Sequence, residues 1–228
     1  MSKQHRVLIV MTSHGDLGGL RPTGVFVSEA AEPWAEFTQA GCRVDVATVA
    51  GGRPPFDGFD EHDATQRRFV ESVDLDGAPA LADVHVGDYD AIFFAGGHGT
   101  MWDFVAPVVG EAAAAVWAAG GVVAAVCHGP SALVSAVTKD GRPLVAGRRV
   151  TGFTNEEEHL VKLETVVPFL LADRLTELDA RFEAGAPFTE HVVIDGRLIT
   201  GQNPQSAAAT AEAVLEELDA EDAAKGVA

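Results

Sequence analysis

Cysteine is scarce in this chain: Cys42 and Cys127 are the only 2 among 228 residues. Two thiols cannot build the disulfide framework of a small secreted scaffold, so each needs its own explanation, and a reducing, cytoplasmic compartment is expected. Long apolar runs are also missing. "MSKQHRVLIVMTSH" is apolar only from Val7 to Met11, too short for a signal peptide or a membrane span, so no membrane partner is expected. Bases are few as well. The 16 Lys and Arg face 34 Asp and Glu, and the formal charge of −18 repels phosphate backbones, which argues against nucleic acid as a partner. Linkers and internal repeats are absent, so one domain over residues 1–228 is expected, with a small cap or loop region around 50–88.

What is present is a core. Hydrophobic residues make up 47% of the chain, enough for one sizeable α/β domain. "RVLIVMTS" (6–13) reads as a strand buried on both faces, 26–40 as a helix ending at Gly41, and "RVDVATVA" (43–50) as a second strand. "GGRPPFDGFDEH" (51–62) is an irregular loop, and the stretch to about 88 carries only weak helical and turn signals. The alternation resumes with a strand and glycine-rich turn in "YDAIFFAGGHGT" (89–100), a helix over 108–121 and a buried strand "VVAAVC" (122–127). A helix over 130–137, a short strand over 148–153 and an acidic helix from 155 follow. "HVVIDGRLIT" is a hairpin turning at Asp195-Gly196, and a last helix spans 204–219. This pattern predicts a doubly wound, mostly parallel sheet.

Ligands of such sheets gather at the carboxyl ends of the strands, where polar, glycine-rich loops converge here. One of those ends holds "AVCHGP" (125–130): a buried strand, a cysteine at a sharp turn, and small residues two before (Ala125) and two after (Gly129). That is the form of a nucleophile elbow, whose crowded backbone excludes branched neighbours. A following helix N-terminus would favour the Cys127 thiolate, and His128 beside it can hold or shuttle a proton if a carboxylate orients it. Cys42, by contrast, reads as a packed, inert thiol near a strand start. Thr154-Asn155-Glu156-Glu157 reads as a capping box, which would occupy Glu157 structurally, and an acidic first turn accommodates Glu156, Glu157 and Glu158 equally. Eight histidines without ligand spacing argue against a metal site.

Together "TGVFVSEA", "GFDEH", "AGGHGTMWDF", "AVCHGP" and "VTGFTNEEEH", in this order, resemble the DJ-1/PfpI superfamily, in particular its branch of heat-inducible chaperones that are glutathione-independent glyoxalases (glyoxalase III). The resemblance implies a flavodoxin-like three-layer α/β sandwich with a cysteine nucleophile elbow. It implies Cys127 as nucleophile, His128 as its proton partner, Glu29 as the glutamate that hydrogen-bonds the sulfur, and Glu158 as the acid orienting the histidine. The N–H groups of Gly97 and His128 would form the oxyanion hole, and no metal or other cofactor is implied. The substrate would be a 2-oxoaldehyde such as methylglyoxal, captured as a Cys127 hemithioacetal and converted to a 2-hydroxy acid. A homodimer and unfolded client proteins are further partners the branch suggests. The alternatives are a holdase-type stress chaperone, or a cysteine-dependent peptidase, amidase or deglycase of the same superfamily. A class I glutaminase would need a late His-x-Glu triplet, which the sequence lacks. The segment 59–89 is shorter than in eukaryotic members of the branch, which leaves substrate size open.

Overall fold

Val7 through Met11 are fully buried because strand β1 (Arg6–Met11) runs inside the sheet, flanked by β2 (Arg43–Thr48) and β3 (Ala91–Phe94), both parallel to it. The computed structural model describes residues 4–226. Beyond β3 lie β4 (Val122–Val126) and then the hairpin of β5 (Val192–Asp195) and β6 (Leu198–Gly201), in the spatial order β2-β1-β3-β4-β6-β5. Only the β5–β6 pair is antiparallel.

Burial on both faces explains why these strands are near-continuous apolar runs rather than alternating ones. Val7, Ile9 and Met11 point into a layer closed by α1 (Val27–Gln39) and, at the other end of the chain, by a helix that begins at Ala207. Leu8 and Val10 point into the opposite layer. There the Ala-rich helix 107–118 and the segment 171–177 pack. Apart from a single helical turn at Thr100–Asp103, the remaining α-helices in chain order are α2 (Ala64–Ser72), α3 (Pro107–Ala118), α4 (Asn155–Val161), α5 (Leu171–Glu177) and α6 (Ala207–Gly226). The result is the mostly parallel, three-layer α/β sandwich expected. Phe37 of α1 meets Phe93 of β3 edge to face at 5.8 Å, a contact worth about 1 kcal/mol beyond the area it buries. Among the described residues, no helix is long and apolar enough to cross a membrane.

Three local expectations need correction. The helix expected over 130–137 is a 3₁₀ turn, Gly129–Leu133, followed by irregular chain. The segment packs closely on its neighbours. A Cβ on Gly129 would lie 2.2 Å from the Phe94 carbonyl oxygen, and one on Gly110 of α3 would lie 2.3 Å from the Ser135 carbonyl carbon. The strand expected over 148–153 shrinks to Arg149–Val150, paired in parallel with Arg181–Phe182 outside the main sheet. The hairpin turns at Gly196-Arg197 rather than Asp195-Gly196, since Asp195 still pairs with Leu198. Over 50–88 the structure holds Phe56–Asp57 paired with Val25–Phe26, then α2 against α1, then two 3₁₀ turns. Asp63 caps α2 by accepting from Thr65 and Gln66 N–H, a side-chain signal inside the stretch whose structure the sequence left open.

Sheet order reverses at β1: the chain passes from β1 to β2 on one side and then crosses back to β3 on the other. The carboxyl ends of β1, β3 and β4 therefore open into one crevice, which is where a doubly wound sheet binds its ligand.

Candidate active site

Cys127 is the residue immediately after β4, and its φ of 60° lies in the left-handed region. A non-glycine residue there costs roughly 1–3 kcal/mol and persists only where surrounding structure holds it. Two hydrogen bonds do so: Cys127 N–H donates to Gly201 O at 2.9 Å, and Phe153 N–H donates to Cys127 O at 2.8 Å. The strained elbow read from "AVCHGP" is thus present. It turns Sγ away from the sheet into a cavity of about 580 Å³ that also touches Glu29, Gly97, His98 and His128.

His128 is fully buried, with Nδ1 3.4 Å from Cys127 Sγ and Nε2 2.8 Å from Glu158 Oε2. Glu158 lies on the first turn of α4, which the Thr154 cap aims at the elbow. Burial pushes the Glu158 carboxyl upward, but the His128 charge and hydrogen bonds from two imidazoles outweigh it and hold the pKa at about 2. An ionised carboxylate only accepts, so Nε2 of His128 carries the hydrogen and Nδ1 is left bare toward the thiol. Burial, reinforced by the neighbouring His98, holds His128 below the ordinary imidazole range despite Glu158. A neutral imidazole with its lone pair on the sulfur side is the form that can take a proton from the thiol.

Glu29, on the first turn of α1, is fully buried, and both carboxyl oxygens lack a partner at full hydrogen-bond geometry. Burial pushes its pKa well up, and the Cys127 thiol and Gly96 N–H pull only weakly against that. A side chain at position 96 has no room, since a Cβ there would lie 2.2 Å from Glu29 Oε2. The thiol is shifted too. Burial first, then the Glu29 charge, lift the Cys127 pKa far above its usual value, with the His128 N–H pulling down. The expected help from a helix N-terminus is missing, because a five-residue 3₁₀ turn follows the elbow. Both shifts favour the neutral forms, a thiol beside a protonated carboxyl, because two adjacent buried charges repel.

Gly97 turns at φ 104° directly against the backbone of residues 24–26, where a Cβ would lie 2.3 Å from Gly24 O. Among the described residues, neither its N–H nor that of His128 donates to a backbone carbonyl. Both remain available to an oxyanion. Glu157 has a different environment. It accepts from Thr154 N–H and Oγ1 at 2.9 Å each, and from Phe188 N–H, Gln202 Nε2 and Asn203 Nδ2 at 2.8 to 3.1 Å, so the capping box holds and the carboxylate is saturated. Glu156 is exposed, and Cys42 is a half-buried thiol whose pKa burial pushes up.

His98 is the residue sequence reasoning missed. Its Nε2 donates to Glu158 Oε1 at 2.9 Å, and its ring lies 4.1 Å from that of His128. The available signal was a histidine inside a glycine turn at a strand's carboxyl end. Spacing along the chain hid it, because 30 and 60 residues separate these histidines from Glu158. The same distance hid a donor set: His98, His128 and Glu158 place ligand-type atoms within 4.8 Å of one another. In this arrangement both imidazole N–H groups are spent on the carboxylate.

Residues 22–217 match the model of the DJ-1/PfpI family. The glutathione-independent glyoxalase HSP31 of Saccharomyces cerevisiae is 34% identical, over 90% of this chain and 94% of its own. Glyoxalase 3 of Candida albicans is 32% identical over 92% and 97%. Among solved structures, glyoxalase III from Candida albicans superposes with a TM-score of 0.81 at 30% identity, covering 93% of this chain and 97% of that one. The Rapid Encystment Protein 24 KDa of Francisella tularensis reaches 0.90 at 35% identity, over 94% and 99%.

Proposed function

This chain belongs to the DJ-1/PfpI family, and from that membership we propose that it is a glutathione-independent glyoxalase, turning a 2-oxoaldehyde such as methylglyoxal into its 2-hydroxy acid. The observation that carries the reading is the chain Cys127 Sγ, His128 Nδ1, His128 Nε2, Glu158 Oε2, with the buried Glu29 carboxyl, whose pKa burial raises, beside the sulfur.

The chemistry needs a nucleophile, an acid for the aldehyde oxygen, and a base that moves one proton between adjacent carbons. Cys127 attacks the aldehyde carbon while its proton passes to His128, and Glu158 stabilises the resulting imidazolium. Glu29 gives its proton to the developing alkoxide, which the Gly97 and His128 N–H groups also face. Glu29 is then a carboxylate in an apolar surrounding, which makes it a strong base for the C1 proton. Returning that proton to C2 leaves a thioester, and His128 serves the oxygens along the way. Water opens the thioester and the thiol regains its proton.

Purified protein incubated with methylglyoxal and no glutathione is expected to form lactate. Cys127→Ser is expected to lower the rate by at least about 10³-fold, and Glu29→Gln by about 10²-fold or more. Failure of the wild type to form lactate, or equal rates in the serine variant, would end this reading. A cytoplasmic location and a homodimer accompany it, and sedimentation of the purified protein tests the second.

A further inference from the structure

The cavity over Cys127 is larger than methylglyoxal requires. Its volume is about 580 Å³. Five heavy atoms fill on the order of 150 Å³, taking about 30 Å³ for each water-sized group. Glu29, Gly97, His98, Cys127 and His128 belong to the reaction chemistry, Phe26, Phe153, Leu163, Phe188 and Leu20 supply apolar wall, and the exposed Lys162 and Gln205 add polar groups at its edge. Arg21 on the rim is tied to Asp57 at 2.9 Å and is not free for an anion.

The wall is aromatic and continuous. Phe153 lies 4.4 Å from the His128 ring, and Phe188 meets Phe153 edge to face at 6.1 Å, carrying the aromatic surface from the reaction centre to the mouth. Phe188 is held at a cost. Its φ of 52° is strained for a bulky side chain, the residue is 39% exposed, and its N–H is fixed by Glu157 Oε1 at 2.8 Å. Leu20, 63% exposed, presents further apolar surface at the same mouth. Strain that places an apolar ring in solvent beside a reactive thiol is explained by a ligand that covers it.

We infer that the preferred substrate is a 2-oxoaldehyde whose ketone carbon bears a flat aromatic group, an arylglyoxal, with the aryl ring against Phe153 and Phe188. The inference rests on the glyoxalase reading. With phenylglyoxal, the Cys127 S–C1 bond forms and the aldehyde oxygen gains a proton. The C1 proton then moves to C2 while the C1 hydroxyl proton passes to the C2 oxygen, leaving a thioester, and water cleaves its C1–S bond to give mandelate and the free thiol. C1 is oxidised and C2 reduced within one molecule, so no outside oxidant or reductant enters.

The test compares kcat/KM for phenylglyoxal and methylglyoxal, without glutathione, in the wild type, Phe188→Ala and Leu20→Ser. The wild-type ratio is expected to favour phenylglyoxal by about tenfold or more, and each variant to lower that ratio about three- to tenfold, mainly through KM for phenylglyoxal. Both substrates are measured on one preparation, so partial misfolding of a variant cancels in the ratio. Lactate formation with a ratio of one or less, or a ratio that neither variant moves, overturns the aromatic preference and leaves the glyoxalase reading standing. Turnover of neither substrate removes both.

Discussion

Glu157 and Glu158 are consecutive residues on the first turn of α4, both buried, yet the two faces they occupy differ in kind. On one face, Glu157 accepts five hydrogen bonds from backbone, hydroxyl and amide groups, none of which titrates near neutral pH. On the other, Glu158 accepts two, both from imidazoles. The first arrangement fastens α4 to the loop carrying Phe188 and to the chain after β6. The second passes charge to a group touching the reactive sulfur. Residue type and burial are the same, so the role of a buried carboxylate follows from whether its donors can titrate.

The largest effect that would break this contrast is on activity. Glu158→Gln offers one acceptor and one donor to two imidazole N–H groups, which forces one histidine into the other tautomer. We expect kcat/KM for methylglyoxal to fall about 10³-fold, roughly 4 kcal/mol of transition-state stabilisation. The same variant sharpens the contrast in acid. Glu158 has a depressed pKa in the fold, so its stabilising contribution is complete above the ordinary carboxyl value of 4.5 and is lost as pH falls toward about 2. Denaturant titrations over that window should show a flatter loss of stability for Glu158→Gln than for the wild type.

Glu157→Ala comes next and should move stability instead. Leaving Phe188 N–H, Gln202 and Asn203 without their acceptor is expected to cost about 3 kcal/mol in urea unfolding. Turnover per folded molecule should change less than in Glu158→Gln.

His98→Ala is a smaller perturbation, acting on the site through Glu158 and the electrostatics of His128. We expect about a tenfold loss of kcat/KM, and because His98 depresses the His128 pKa, the acid limb of the pH profile should move to higher pH. His98→Asn, which keeps a donor toward Glu158, should recover part of the rate. An unshifted profile in both variants would assign His98 to packing alone. The smallest effect belongs to Thr154→Ala, which removes the cap shared by both faces and should cost about 1 kcal/mol by thermal or urea unfolding.

Much of this was legible beforehand for particular reasons. The buried strands announced themselves because parallel strands covered on both faces must be apolar throughout, and "AVCHGP" announced the elbow because a left-handed, crowded turn tolerates only small neighbours. The Thr154 capping box could be read because its two partners are three residues apart. The outcome over 130–137 is not in the local pattern, which says nothing of the Phe94 carbonyl and the Gly110 backbone of α3 against which that segment packs.

The sequence by itself therefore determined the layered α/β sandwich, the reactive turn at Cys127 and the cap on α4, all consequences of interactions within a few residues or of apolar periodicity. Tertiary structure alone decided what those pieces do. It brought His98 and His128 to Glu158 across 60 and 30 residues, set Phe188 at the mouth of the cavity, and buried Glu29 and Cys127 together so that the neutral form of each is favoured. Hydrogen-bond partners and desolvation depend on which side chains meet in space, and that is settled only when the strands have stacked their carboxyl ends around one crevice.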